Sequence, residues 1–174
     1  DTVSGATGYE IMIDGNIYDN GNSTTYKHIG VEPNSMHIYQ VRSKRDTDTS
    51  EWSEVISVRA LVGIPANLAC LPKSRSLEIV WDEVNGATNY DVEINGDIVA
   101  NASKTSHTHL KMEPNTSYMI RIRAKNELGN GEWSSYIECN TAPDIPAGLS
   151  ATETTSEVNL FWDNVEGAIF YDLE

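Results

Sequence analysis

Cysteine and positive charge are both scarce in this sequence. Two cysteines in 174 residues are too few for a disulfide scaffold or a four-ligand zinc site. Only 12 Lys and Arg stand against 26 Asp and Glu, a formal charge of -14. Phosphate contacts need a concentrated basic surface, so nucleic acid is not expected as a partner, and the acidity suits solubility in an exposed setting. No run of about 18 apolar residues occurs, so no spanning helix is expected. Apolar residues spaced i, i+3, i+4, i+7 are also missing, and helix should be minimal. For catalysis there is no Gly-rich phosphate loop, no nucleophile elbow, and no Ser, His and carboxylate set that recurs. No catalytic residue and no cofactor is therefore expected. The chain starts inside a repeat, so the lack of a leader carries no information.

What is present is a repeat. Asp1-Thr2-Val3-Ser4-Gly5-Ala6-Thr7-Gly8-Tyr9 returns as Asp82-Glu83-Val84-Asn85-Gly86-Ala87-Thr88-Asn89-Tyr90 and again as Asp163-Asn164-Val165-Glu166-Gly167-Ala168-Ile169-Phe170-Tyr171, at an offset of 81 each time. The same offset carries Glu32-Pro33-Asn34 onto Glu113-Pro114-Asn115, Glu51-Trp52-Ser53 onto Glu132-Trp133-Ser134, and Ile64-Pro65-Ala66 onto Ile145-Pro146-Ala147 without a gap. A fixed period of this size marks a small domain used repeatedly.

Inside the unit, Leu77 to Trp81 and Tyr90 to Ile94 show the alternation of half-buried strands. Asn95-Gly96, and Asp14-Gly15 before it, are the dipeptides of two-residue hairpins. From Tyr118 to Lys125 the alternation is clearest: Tyr118, Ile120, Ile122 and Ala124 face one way, and Arg121, Arg123 and Lys125 the other. Many short strands with frequent turn signals argue for an all-β sandwich or barrel.

The stretch from Ile64 to Ala142 resembles one complete fibronectin type III module. The resemblance rests on a Pro-x-x-Leu opening at Pro65 to Leu68, the second-strand Trp81, and Met112-x-Pro114-x-Thr116-x-Tyr118 leading into the sixth strand. It implies tandem immunoglobulin-like β-sandwiches with seven strands per complete module, and a tyrosine corner at Tyr118. The expected organisation is residues 1–62 as a module lacking its first two strands, 63–142 as the complete module, and 143–174 as the first two strands and the start of a third in the next. His37 stands where Tyr118 stands, so the corner is in question in the first repeat. The Gly-Ala-Thr-x-Tyr wording resembles modules of bacterial secreted and surface proteins.

In the family's topology the first and last strands run side by side, with Cys70 on one and Cys139 on the other, both facing inward; a disulfide and two buried free thiols are both open readings. Trp52 and Trp133, at the start of the last strand, are read as structural cation–π partners of Arg42 and Lys44, and of Arg121, Arg123 and Lys125, rather than as sugar platforms. Trp81 and Trp162 occupy core positions. His107 and His109 share a strand face but lack a third ligand, and Asp46-x-Asp48-x-Ser50 lacks the sixth Gly and twelfth Glu of a calcium loop, so no metal site is expected. Asn22-Ser23-Thr24, Asn101-Ala102-Ser103 and Asn115-Thr116-Ser117 fit the N-glycosylation triplet, which matters only in a secretory eukaryotic setting. The loop that carries Arg-Gly-Asp in related modules reads Asn126 to Gly131 here, with Asn130-Gly131 as turn chemistry.

The expected function is a non-enzymatic extracellular or cell-surface spacer or fibre shaft, stiffened by prolines at Leu61 to Pro65 and Thr141 to Pro146. Its partners would be neighbouring modules or other copies of the chain, with head-to-tail strand donation producing a filament. The rival readings are adhesion to a surface glycan or protein, and accessory service to a polysaccharide-degrading enzyme or a phage tail.

Overall fold

Alternating side chains force sheets, and sheets are what form. The computed structural model describes residues 2–174, and every regular element among them is a β-strand; Asp1, with which the repeat opens, lies outside the described residues. The chain divides into two units, Asp1–Gly63 and Ile64–Glu174.

In the first unit β1 (Gly8–Ile13) and β2 (Asn16–Asp19) form a hairpin. Its turn residues Asp14 and Gly15 both have positive φ, 50° and 85°, which matches the right-handed twist of the strands. β3 (Met36–Arg45) pairs with β1, and β4 (Asp48–Thr49) and β5 (Ile56–Arg59) both pair with β3. Among the described residues of this unit these strands make one sheet, with no second sheet packed on it. Val41, Ile56 and Val58 are accordingly 48%, 59% and 49% exposed.

The second unit contains the two-layer version. β6 (Ala69–Pro72), β7 (Ser76–Val80) and β10 (Ser106–Leu110) form one sheet with β7 in the middle. β8 (Asn89–Ile94), β9 (Asp97–Asn101) and β11 (Ser117–Asn126) form the other, and β12 (Gly129–Trp133) and β13 (Ile137–Asn140) both pair with β11. Leu77, Ile79 and Trp81 meet Tyr90, Val92, Ile94, Ile120, Ile122 and Ala124, none more than 5% exposed. Trp81 sets its edge against the Tyr90 ring at 5.3 Å. The last strand is cut in two at Ser134, whose hydroxyl accepts from the Ile122 N–H at 3.0 Å while its own N–H donates to Ile122 O. A further hairpin, β14 (Ser150–Glu153) with β15 (Val158–Phe161), follows with every strand residue exposed.

Four expectations need correction. Residues 25–29, at the repeat position of β10, form no strand, so counterparts of three strands rather than two are missing among the described residues of the first unit; β10 pairs only with β7, and β7 has no counterpart among them. Residues 170–174, at the position of the first part of β8, form no strand either, whereas β8 itself is held by β9 and β11. Asn130-Gly131 lies inside β12, and the turn is Glu127-Leu128, closed by Leu128 N–H donating to Asn126 Oδ1 at 3.0 Å. β8 is covered on both faces, with Asp91 3% and Glu93 4% exposed.

The two states of one repeat position give a direct test. Ile122→Ala should cost about 2–5 kcal/mol by leaving a cavity. Val41→Ala, 81 residues earlier and half exposed, should move stability by about 0.5 kcal/mol or less. Amide hydrogen exchange of β11 and β3 under mild denaturant reads both.

Candidate functional site

The polar face of β8 explains its double burial. Opposite it on β11, Arg123 grips Asp91 through Nε at 2.9 Å and Nη2 at 2.8 Å, and Lys125 Nζ reaches the other oxygen at 3.1 Å. Arg121 Nη2 donates to Glu93 Oε2 at 2.7 Å and the Tyr136 hydroxyl to Oε1 at 2.6 Å. The Arg121 hydrogen bond, then that from Tyr136, holds the Glu93 carboxyl below its ordinary value against the opposing pull of burial. Conversely the bond to Glu93 pushes the Tyr136 phenol up. Trp133 covers the layer, with Arg121 and Arg123 guanidinium carbons 4.7 and 4.5 Å from its ring centre, and Tyr136 lies 4.6 Å from Arg121.

Trp52 receives Arg42 at 4.4 Å, and Arg42 also pairs with Glu10 at 2.7 Å. The two lysines placed in these stacks by the sequence are elsewhere: Lys44 pairs with Asp19 and Lys125 with Asp91. Asp91 lies on β8, which pairs with the β11 of Lys125, whereas Asp19 lies on β2, reached by Lys44 across the intervening β1; in both places the compact ammonium meets a carboxylate. With one face of Trp52 and Trp133 taken by guanidinium, sugar stacking on that face is blocked.

The glutamate set has a clear repeat signature that sequence reading missed. Glu93, Arg121 and Tyr136 are replaced together by Met12, Gln40 and Val55 in the first repeat. Acid, base and phenol are exchanged as a group because a buried charge without its partner is costly.

Tyr118 accepts the Glu113 N–H at 3.0 Å, the bond of a tyrosine corner. In the first unit the same place holds a different network: His37 bonds Asp14 Oδ2 through Nδ1 and Ser35 Oγ through Nε2, both at 2.7 Å. The Ile38 N–H, then His37, hold the Asp14 carboxyl below its ordinary value. A second tyrosine bond went unread although its residues head every repeat: the hydroxyls of Tyr9, Tyr90 and Tyr171 accept the N–H of Val3, Val84 and Val165 at 2.8, 2.9 and 2.9 Å.

Cys70 and Cys139 are joined as a disulfide with Cα atoms 6.2 Å apart, tying β6 to β13. His107 and His109 rings lie 5.7 Å apart, and His107 also bonds Asn101 Oδ1 at 3.1 Å. Among the described residues no three His, Cys, Asp or Glu side chains are grouped to hold a metal ion. Asp46 and Asp48 belong to the tight β3–β4 hairpin, where Arg45 faces Asp48. No helix is long and apolar enough to cross a membrane among the described residues.

Two sheets packed face to face, a tyrosine corner and a split last strand define an immunoglobulin-like β-sandwich. Residues 63–140 match the family model of the fibronectin type III domain. Similar proteins include human phosphatidylinositol phosphatase PTPRQ, 24% identical over 82% of this chain and 7% of the relative. The tail tube protein gp17.1* of Bacillus phage SPP1 is 30% identical over 44% of this chain and 30% of the relative. The chain thus spans a small fraction of the curated relatives it matches. The chicken CNTN1 FN1-FN3 crystal structure aligns over 78% of this chain and 56% of its own, with 15% identity and a TM-score of 0.43.

The sign of the Glu93 effect is fixed by its lowered pKa. A carboxylate stabilised when ionised adds to stability above the ordinary glutamate range and loses that contribution as pH falls through its lowered folded value. The β11 amides should therefore lose exchange protection on acidification below the ordinary glutamate range, and Glu93→Gln should flatten that dependence. An unchanged slope would remove Glu93 from the account.

Proposed function

We propose that this chain is a non-enzymatic structural spacer of an extracellular or cell-surface protein, a shaft segment of tandem fibronectin type III modules that associates with further copies head to tail. The fold generally serves as a non-catalytic module, and the polar groups of the second unit are spent on one another rather than presented to a substrate.

The observation that carries this reading is the disulfide. It joins the first and last strands of the complete module, the two places where tension along the chain enters and leaves, and encloses a loop of 69 residues. A pull on the ends is then borne by a covalent bond, and the intervening strands are shielded. Such a link also contributes about 2–4 kcal/mol by constraining the unfolded chain.

A second reading, an accessory segment of a phage tail, draws on the likeness to the SPP1 tail tube protein. Adhesion to a surface glycan or protein through loops or a sheet edge would instead require an open aromatic surface, which the guanidinium-covered tryptophans do not offer on that face.

Pulling single chains by their ends decides the spacer reading. Under oxidising conditions unfolding of the complete module should release no length from the enclosed loop; after reduction an added step of roughly 240 Å should appear, at about 3.5 Å per extended residue. Identical extension in both conditions would overturn it.

A further inference from the structure

We propose that His107 and His109, both on β10, form a binding site for a first-row divalent transition cation such as Zn²⁺. The site lies wholly inside the complete module and does not depend on the shaft reading.

Two backbone carbonyls set the geometry. Asn101, at the end of β9, donates through Nδ2 to Lys104 O at 2.9 Å and to Ser106 O at 3.1 Å, which fixes which way round its amide lies. Its Oδ1 then faces His107 Nδ1 at 3.1 Å. An amide oxygen only accepts, so the proton of the neutral ring sits on Nδ1 and His107 Nε2 keeps a lone pair. Nε2 faces His109 Nδ1 at 3.5 Å, longer than an ordinary hydrogen bond. An ion bonded to both nitrogens at about 2.0–2.1 Å would meet them roughly 113–122° apart, close to the tetrahedral angle that zinc favours. A ligating imidazole whose other N–H is held by an oxygen acceptor is the usual arrangement around such ions.

Strand pairing places both rings on one side. His107 stands opposite Ile79 and His109 opposite Leu77, so the half-buried imidazoles share the core-facing side of β10. Burial first, and then His109, hold the His107 pKa below its ordinary value, which keeps that ring neutral and able to ligate at neutral pH. Among the described residues no third His, Cys, Asp or Glu joins the pair, and the remaining positions fall to water. Imidazole donors suit Zn²⁺, Cu²⁺ and Ni²⁺ rather than the hard cations Ca²⁺ and Mg²⁺.

The first repeat is a built-in control. Asn20 makes the same two bonds, to Ser23 O and Thr25 O. Tyr26, however, takes the place of His107, and His28, in the place of His109, uses Nδ1 on the Tyr39 hydroxyl at 2.9 Å. The orienting amide is common to both repeats, whereas the imidazole pair is particular to the second.

Titration of the full chain with Zn²⁺ at about pH 7.5, above the ordinary histidine range, tests the site by calorimetry and by the imidazole NMR signals. The signals of His107 and His109 should shift together and saturate, and Ca²⁺ should leave both unmoved. His107→Tyr, which writes in the first repeat's own residue, should abolish the His109 response; His28→Gln should leave it intact. Asn101→Ala, read on a chain whose β11 amides keep their exchange protection, should weaken binding about 10–100-fold. Rings that do not respond to Zn²⁺, or a His109 response that survives His107→Tyr, would overturn the proposal. The force experiment is untouched by either result, so the two readings fall separately.

Discussion

Everything in this fold hangs on one strand pairing with two others. β7 is the centre of its sheet: β6 and β10 both pair with it, and it carries Leu77, Ile79 and Trp81 into the core. Each such side chain contributes about 1.5–3 kcal/mol on burial, so the three together rival the net stability of an ordinary domain, about 5–15 kcal/mol. Where β7 exists, two sheets close on each other. Among the described residues of the first unit there is no counterpart of β7, and residues 25–29, with the same pattern as β10, form no strand.

The other face of the closed module is governed by charge. Burying Asp91 and Glu93 would be prohibitive alone, since desolvation of a carboxylate costs several kcal/mol. Three cations, a phenol and an indole offset that cost with geometry in which each carboxylate oxygen has a donor. Glu93, Arg121 and Tyr136 depend on one another, which is why the first repeat dispenses with them together while keeping the counterparts of Asp91, Arg123 and Lys125 as Glu10, Arg42 and Lys44.

Alternation and turn chemistry made the strands, the hairpin turns and the inward face of β11 legible in the sequence, because each depends on residues close along the chain. Tyr118 was legible through a family pattern. The pairing state of residues 25–29 was not: their wording matches β10, and only a distant partner decides whether they become a strand. Lys44 and Lys125 were misplaced for a similar reason, since a lysine's reach covers both a ring and a carboxylate and the sequence does not say which is nearer. The Glu93 group was readable in principle, by asking which positions change together between repeats rather than which stay the same.

The tyrosine bond at the head of every repeat shows how much of the module is decided before the sheets meet. Val84 N–H and the Tyr90 hydroxyl are six residues apart, so the bond closes the loop between β7 and β8 with no help from the second layer. It forms equally at Tyr9, where no β7 counterpart is described, and at Tyr171, where no third strand forms. Since the same geometry appears in complete and incomplete repeats, the loop is a local property of its own sequence. The path from one sheet to the other is then set in advance, and what remains to be supplied is the apolar cover itself.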